Sequence, residues 1–152
     1  MRGVYTTSIK IAGLAAAKTL AYLTAPATAA VEILSASVTN ASNESNEQIE
    51  ITLQYITTLG TPTGTTLTFA KHEPGDKAAT VAGKGNVTAA EPTYTADTEI
   101  GREGSSSLCG WFFDPLPEER PIIAPSGNLG LRLITTPTAF DALVKITFRE
   151  IG

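Results

Sequence analysis

Residues 47–56 read EQIEITLQYI, and their alternation decides the class of structure. Ile49, Ile51, Leu53 and Tyr55 fall on one side of an extended chain, with Glu50, Thr52 and Gln54 on the other. A period of two marks a half-buried strand, one face on a core and one towards water. Just upstream, AVEILSASVT (30–39) is also β-like, with Leu34, Ala36 and Val38 on one face and Ile33, Ser35 and Ser37 on the other. The polar run NASNESN (40–46) separates the two as a loop, so they are expected to be neighbours in an antiparallel sheet.

The same period recurs outward from this pair. VYTTSIKIAG (4–13) carries Tyr5, Ile9 and Ile11 on one face. KTLAYLTAP (18–26) reads as a second strand ended by Pro26. Its Ala, Leu and Lys content also suits a helix over 14–23, but Gly13 and Pro26 leave little room for three turns. Near the C-terminus Leu129, Leu131 and Leu133 alternate with Gly130, Arg132 and Ile134, and ALVKITFREIG (142–152) sends Ala142, Val144, Ile146 and Phe148 inward. The middle, Gly60 to Gly104, reads as one or two short strands with long connections; GTPTGTT and GKGNVT match no phosphate-cradling motif and read as loops. About eight short strands, turn residues between them and no long helical pattern predict an all-β sandwich or barrel. No repeat or linker divides it, so residues 1–152 are expected to form a single domain.

Composition narrows the function. The chain has 152 residues, 42% hydrophobic and 17% charged, with a net charge of −4. Such a charge-poor, mildly acidic surface argues against nucleic-acid binding, which needs clustered Lys and Arg. The N-terminal IKIAGLAAAKTLAYLTAPATAA mimics a secretory signal, but Lys18 splits its apolar part into pieces too short for a signal core or a membrane span. One cysteine, Cys109, and one histidine, His72, leave no intrachain disulfide and no His pair for a metal. Between Leu108 and Trp111, Cys109 is expected to be a buried, inert thiol.

GWFFDPLPEERPIIAPSGNLGLRL (110–133) looks the most chemical. Glu118, Glu119 and Arg120 offer an acid, a base and an anion clamp, but paired catalytic carboxylates must flank a substrate and adjacent residues point apart. A turn between Pro117 and Pro121, with Arg120 on a carboxylate or a carbonyl, is the expectation. In a strand Trp111 and Phe113 share a face and enter the core, which leaves Phe112 as the candidate for an intersubunit contact. HEPGDKAA (72–79) offers His72, Glu73 and Asp76, and Pro74-Gly75 makes it a surface turn. No nucleophile–base pair, metal cluster or phosphate loop emerges, and no cofactor is expected.

Taken in order, LTAPATAAVEILSASV, the polar loop, EQIEITLQ, EPGDKAA, the aromatic run, PLPEER, APSGNLGLRL and the terminal ITFREIG resemble a family of small tailed-bacteriophage proteins that decorate or cement the capsid. The resemblance implies a jelly-roll-like β-sandwich on the outer surface of an icosahedral head, with the major capsid protein as partner. It also implies a homo-oligomer, for example a trimer, that clamps neighbouring capsid subunits and has no active site. Glu118, Glu119 and Arg120 would then supply polar contacts to a neighbour, with Phe112 beside them. The region from Gly60 to Gly104 departs most from the family pattern. Two rivals stand beside this reading: a receptor- or glycan-binding β-sandwich of a phage tail or fibre, and a cupin-like enzyme, which one histidine makes a poor candidate.

Overall fold

A computed structural model describes residues 3–42 and 46–152, so part of the NASNESN loop lies outside the described residues. The strands are β1 (Val4–Leu14), β2 (Lys18–Thr24), β3 (Ala30–Asn40), β4 (Gln48–Thr58), β5 (Thr63–Thr66), β6 (Ala70–Lys71), β7 (Ala82–Ala89), β8 (Thr93–Ser106), β9 (Trp111–Phe113), β10 (Ile122–Ile123), β11 (Asn128–Leu133) and β12 (Phe140–Ile151). One sheet runs β10-β3-β12-β1-β6, with β9 also on the outer edge of β3; the other runs β5-β7-β2-β11-β4-β8. Every pairing is antiparallel.

Within these sheets, β1-β12-β3-β9 and β2-β11-β4-β8 have the interleaved order of a jelly roll, the fold that the resemblance implies. Among these eight strands the chain passes from one sheet to the other at each step except between β4 and β8. There the segment holding β5, β6 and β7 crosses to the opposite side, where β6 extends the first sheet beside β1 and β7-β5 extend the second beside β2. One buried cluster draws on both sheets, including Tyr5, Ile33, Val38, Val144 and Phe148 from the first and Leu23, Ile51, Leu53 and Leu131 from the second. Glu150, wholly buried near the end of β12, accepts hydrogen bonds from the Val81 amide at 3.0 Å and the Thr80 hydroxyl at 3.1 Å. That carboxylate ties the crossing segment to the terminal strand.

Four expectations are corrected. First, β3 and β4 are not neighbours: β3 pairs with β12, and β4 with β11 and β8 in the other sheet. Sheets in a sandwich lie about 10 Å apart, a gap that a loop of several residues spans as readily as it makes a hairpin. Second, a bulge places Thr147 opposite Ser35 and Phe148 opposite Ile33, which leaves Leu34 as the extra residue. Ile33, not Leu34, therefore shares the core face with Ala36 and Val38. Third, β4 is buried on both faces at its centre, because the Thr52 hydroxyl donates to the Gly101 carbonyl at 2.7 Å and the Gln54 amide to the Thr95 carbonyl at 2.7 Å.

The fourth concerns the middle of the chain, which holds four strands among the described residues, one of them the 14-residue β8. GTPTGTT and GKGNVT contribute β5 and β7, which pair with each other. Their glycines are demanded by close approach: a Cβ on Gly83 would lie 2.3 Å from the Tyr22 carbonyl oxygen and 3.2 Å from the side chains of Leu23 and Leu67. Gly83→Ala is expected to cost about 1–3 kcal/mol, the usual penalty of overpacking. A denaturation midpoint unchanged from the parent's would show that β7 moves freely to make room.

Candidate interaction surface

The segment from Gly110 to Ile123 forms a corner on the outer edge of β3. Gly110, at φ 80°, turns the chain into β9, which lies on Ala36–Val38 of β3. Strand alternation then sends Trp111 inward, 3% exposed, and Phe112 outward, 64% exposed, as expected. Trp111 stacks on Phe113 at 6.1 Å between ring centroids, and its indole N–H donates to Glu103 Oε2 of β8 at 3.0 Å. The chain next makes one 3-10 turn over Pro117–Glu119, with proline at the start where its missing N–H is harmless. It rejoins β3 as β10, and the Tyr55 hydroxyl of β4 donates to the Ile122 carbonyl at 3.0 Å.

The three polar candidates separate. Glu118 and Glu119 are exposed and make no ion pair among the described residues. Arg120 turns back to Glu32 of β3, 3.8 Å from Nη1 to Oε1, and Arg149 of β12 donates to the other oxygen of the same carboxylate. Glu32 is nearly buried under the two guanidinium groups. The carboxylate that Arg120 needs therefore comes from another strand, and the arginine is a clamp that holds the corner. Beside it Leu116 and Ile122 are 65% and 53% exposed, a feature that sequence reasoning missed. The alternation of buried Ile123 with Ile122 was the available signal for one of them; Leu116 sits in irregular chain with no period to read.

Between the corner and β8 lies a groove of about 450 Å³, lined by Ile100, Glu103, Phe112, Phe113, Asp114 and Glu119. Around the edge from it, the outer face of the first sheet continues the row of Phe112 through Ser37, Lys145 and Ser8. The neighbouring row is Thr39, Leu143 and Lys10, with Lys10 on Asp141 at 2.9 Å. Gly13 N–H and Lys10 together hold the Asp141 carboxyl below the ordinary carboxylate range. This face is flat, made of small polar side chains around an exposed Leu143.

Elsewhere several polar groups are paired within the fold. On the outside of the second sheet Arg132 lies 4.0 Å from the Tyr94 ring centroid and donates to Gln54 at 2.7 Å, while the Tyr94 hydroxyl is 2.8 Å from that of Thr19. Burial pushes the Tyr94 phenol up to about 12. His72 lies in a surface turn closed by the Asp76 amide on the Glu73 carbonyl at 3.0 Å, its ring 2.7 Å from the Thr6 hydroxyl. Among the described residues no group of three His, Cys, Asp or Glu side chains is placed to hold a metal ion. Cys109 is exposed, contrary to the expectation of a buried thiol. Leu108-Cys109 is the tip of the β8–β9 turn, where an apolar run has no strand face to bury.

Fold and surface together define a jelly-roll β-sandwich with an apolar, clamped corner beside a flat sheet face. No family model matches the chain, and no curated protein and no solved structure matches it.

Proposed function

We propose that the chain is a non-enzymatic capsid decoration protein that binds the outside of a bacteriophage head, with the major capsid protein as partner, and holds neighbouring subunits together. The family resemblance of the sequence motivates the reading, and one structural observation supports a docking role. Phe112, Leu116 and Ile122 are each exposed along the corner segment, which Glu32, Arg120 and Tyr55 fasten from beneath. Apolar side chains on a preorganised scaffold lose little entropy on binding, so they suit a lasting protein contact. Contacts of micromolar strength, about 8 kcal/mol each, restrain a lattice once many copies act together. The rival glycan-binding module needs a platform of exposed aromatic rings with polar groups beside it. Of the run's three aromatic residues only Phe112 is well exposed, which favours the decoration reading.

Cosedimentation with expanded shells of the major capsid protein tests the proposal. Saturable binding at a fixed ratio to capsid subunits is expected, and Phe112→Asp with Leu116→Asp should weaken it about tenfold or more, as loss of anchor residues does. Binding to cell envelope or glycans with none to shells would overturn the proposal in favour of the receptor-binding module.

A further inference from the structure

We infer that the outer face of the first sheet receives the β9–β10 corner of a second copy, head to tail. The inference deepens the proposed function by naming the contact behind the expected self-association: Phe112 and Leu116 go to the second copy and Ile122 is left to the shell, so that losing the first two weakens shell binding through lost avidity, and the test uses the purified chain alone. The two surfaces are opposite in charge. The corner and its groove carry Glu103, Asp114, Glu118 and Glu119, and Arg120 beside them is committed to Glu32. The sheet face carries Lys145, which makes no ion pair among the described residues; Lys10 beside it is paired with Asp141, and Arg149 further along β12 with Glu32.

The apolar parts are complementary as well. Phe112 and Leu116 project from the corner, and Leu143, 42% exposed, stands on the face among Ser8, Ser37 and Thr39. Small side chains around it leave a shallow groove of about 410 Å³, space for an aromatic ring. Strands β1, β12 and β3 are 11, 12 and 11 residues long. At about 3.3 Å per residue and about 4.8 Å per strand they offer a plane of about 500 Å² before side-chain relief. That is the order of the roughly 800 Å² that each partner brings to a standard interface.

Charge also selects the mode. Two copies joined face to face would oppose lysines, and two joined corner to corner would oppose carboxylates. Corner to face pairs unlike charges, and like charges brought together across an interface suppress the other arrangements. A contact between two different patches that the partner does not return is heterologous, so it either closes a ring or continues as a filament.

The test is sedimentation velocity of the purified chain at about 1 to 100 µM, a range that reads contacts of ordinary transient strength. It is run at about 50 mM and about 500 mM salt, where charge attraction is weakly and strongly screened. The parent is expected to form oligomers that weaken with salt. Lys145→Glu alone and Glu119→Lys alone should each weaken association about tenfold, and the double variant should recover it, since the pair of charges is then exchanged. Phe112→Asp should leave a monomer with the parent's circular dichroism. A parent monomeric throughout this range would overturn the inference, and so would oligomers unmoved by both single charge inversions. Either result leaves shell binding to be decided by cosedimentation.

Discussion

Phe148→Ala is expected to lower stability by about 3–5 kcal/mol, the usual range for a large aromatic residue removed from a core. Phe148 is wholly buried on β12, the strand between β1 and β3. Its ring lies 5.6 Å from that of Tyr5 and meets the Phe69 ring edge-on at 5.4 Å, so it joins the central strands to the crossing segment. The flanking strands are held by ladder hydrogen bonds and cannot close over the space the ring leaves. Denaturant unfolding should show a lower midpoint at unchanged slope, and the melting temperature should fall by about 10 °C. Phe148→Leu, which keeps most of the volume, should cost about 1.5 kcal/mol or less. A loss below about 1 kcal/mol for the alanine variant would mean that the two sheets collapse around the site.

Trp111→Ala should cost a similar amount, about 3–5 kcal/mol, but with a functional consequence that Phe148→Ala lacks. Trp111 packs under a strand of only three residues, stacks on Phe113 and reaches β8 through Glu103. Without the indole, β9 keeps its short ladder to β3 and loses its attachment to the second sheet. Phe112, on the same three residues, would no longer be presented at a fixed position. Shell retention and self-association should therefore fall in Trp111→Ala even at temperatures where circular dichroism shows it folded. Trp111→Phe keeps the stacking and gives up the hydrogen bond to the carboxylate, so about 1.5–3 kcal/mol is expected. Shell binding equal to the parent's in folded Trp111→Ala would show that the corner does not depend on its buried side.

Arg120 illustrates how far the candidate surface was legible. Adjacent residues between two prolines had to form a turn, and an arginine there needed a carboxylate or a carbonyl. Its carboxylate turned out to be Glu32, 88 positions earlier by number, in the apolar run AVEIL. Nothing local distinguishes that glutamate from a solvated one. Only the placement of β10 and β12 on either side of β3 brings Arg120 and Arg149 to it. Leu143 was placed on the outer side of β12 by alternation, yet that it stands beside Lys145 and Lys10 as one face depends on the register of three strands.

The sequence by itself determined the all-β class, the position of six long or well-patterned strands, and which side of most of them enters the core. A period of two is a local property, written wherever one face is buried. It also determined that Phe112 faces away from Trp111 and Phe113, because neighbours in a strand must point apart. Tertiary structure decided that consecutive strands β3 and β4 lie in different sheets, that a bulge at Leu34 exchanges the faces of β3, and that glycine-rich segments pair as β5 and β7. It also decided that the β8–β9 turn leaves Cys109 in solvent. Each of these depends on which distant backbone supplies hydrogen bonds or fills space, and long-range pairing leaves no period in the chain that forms it.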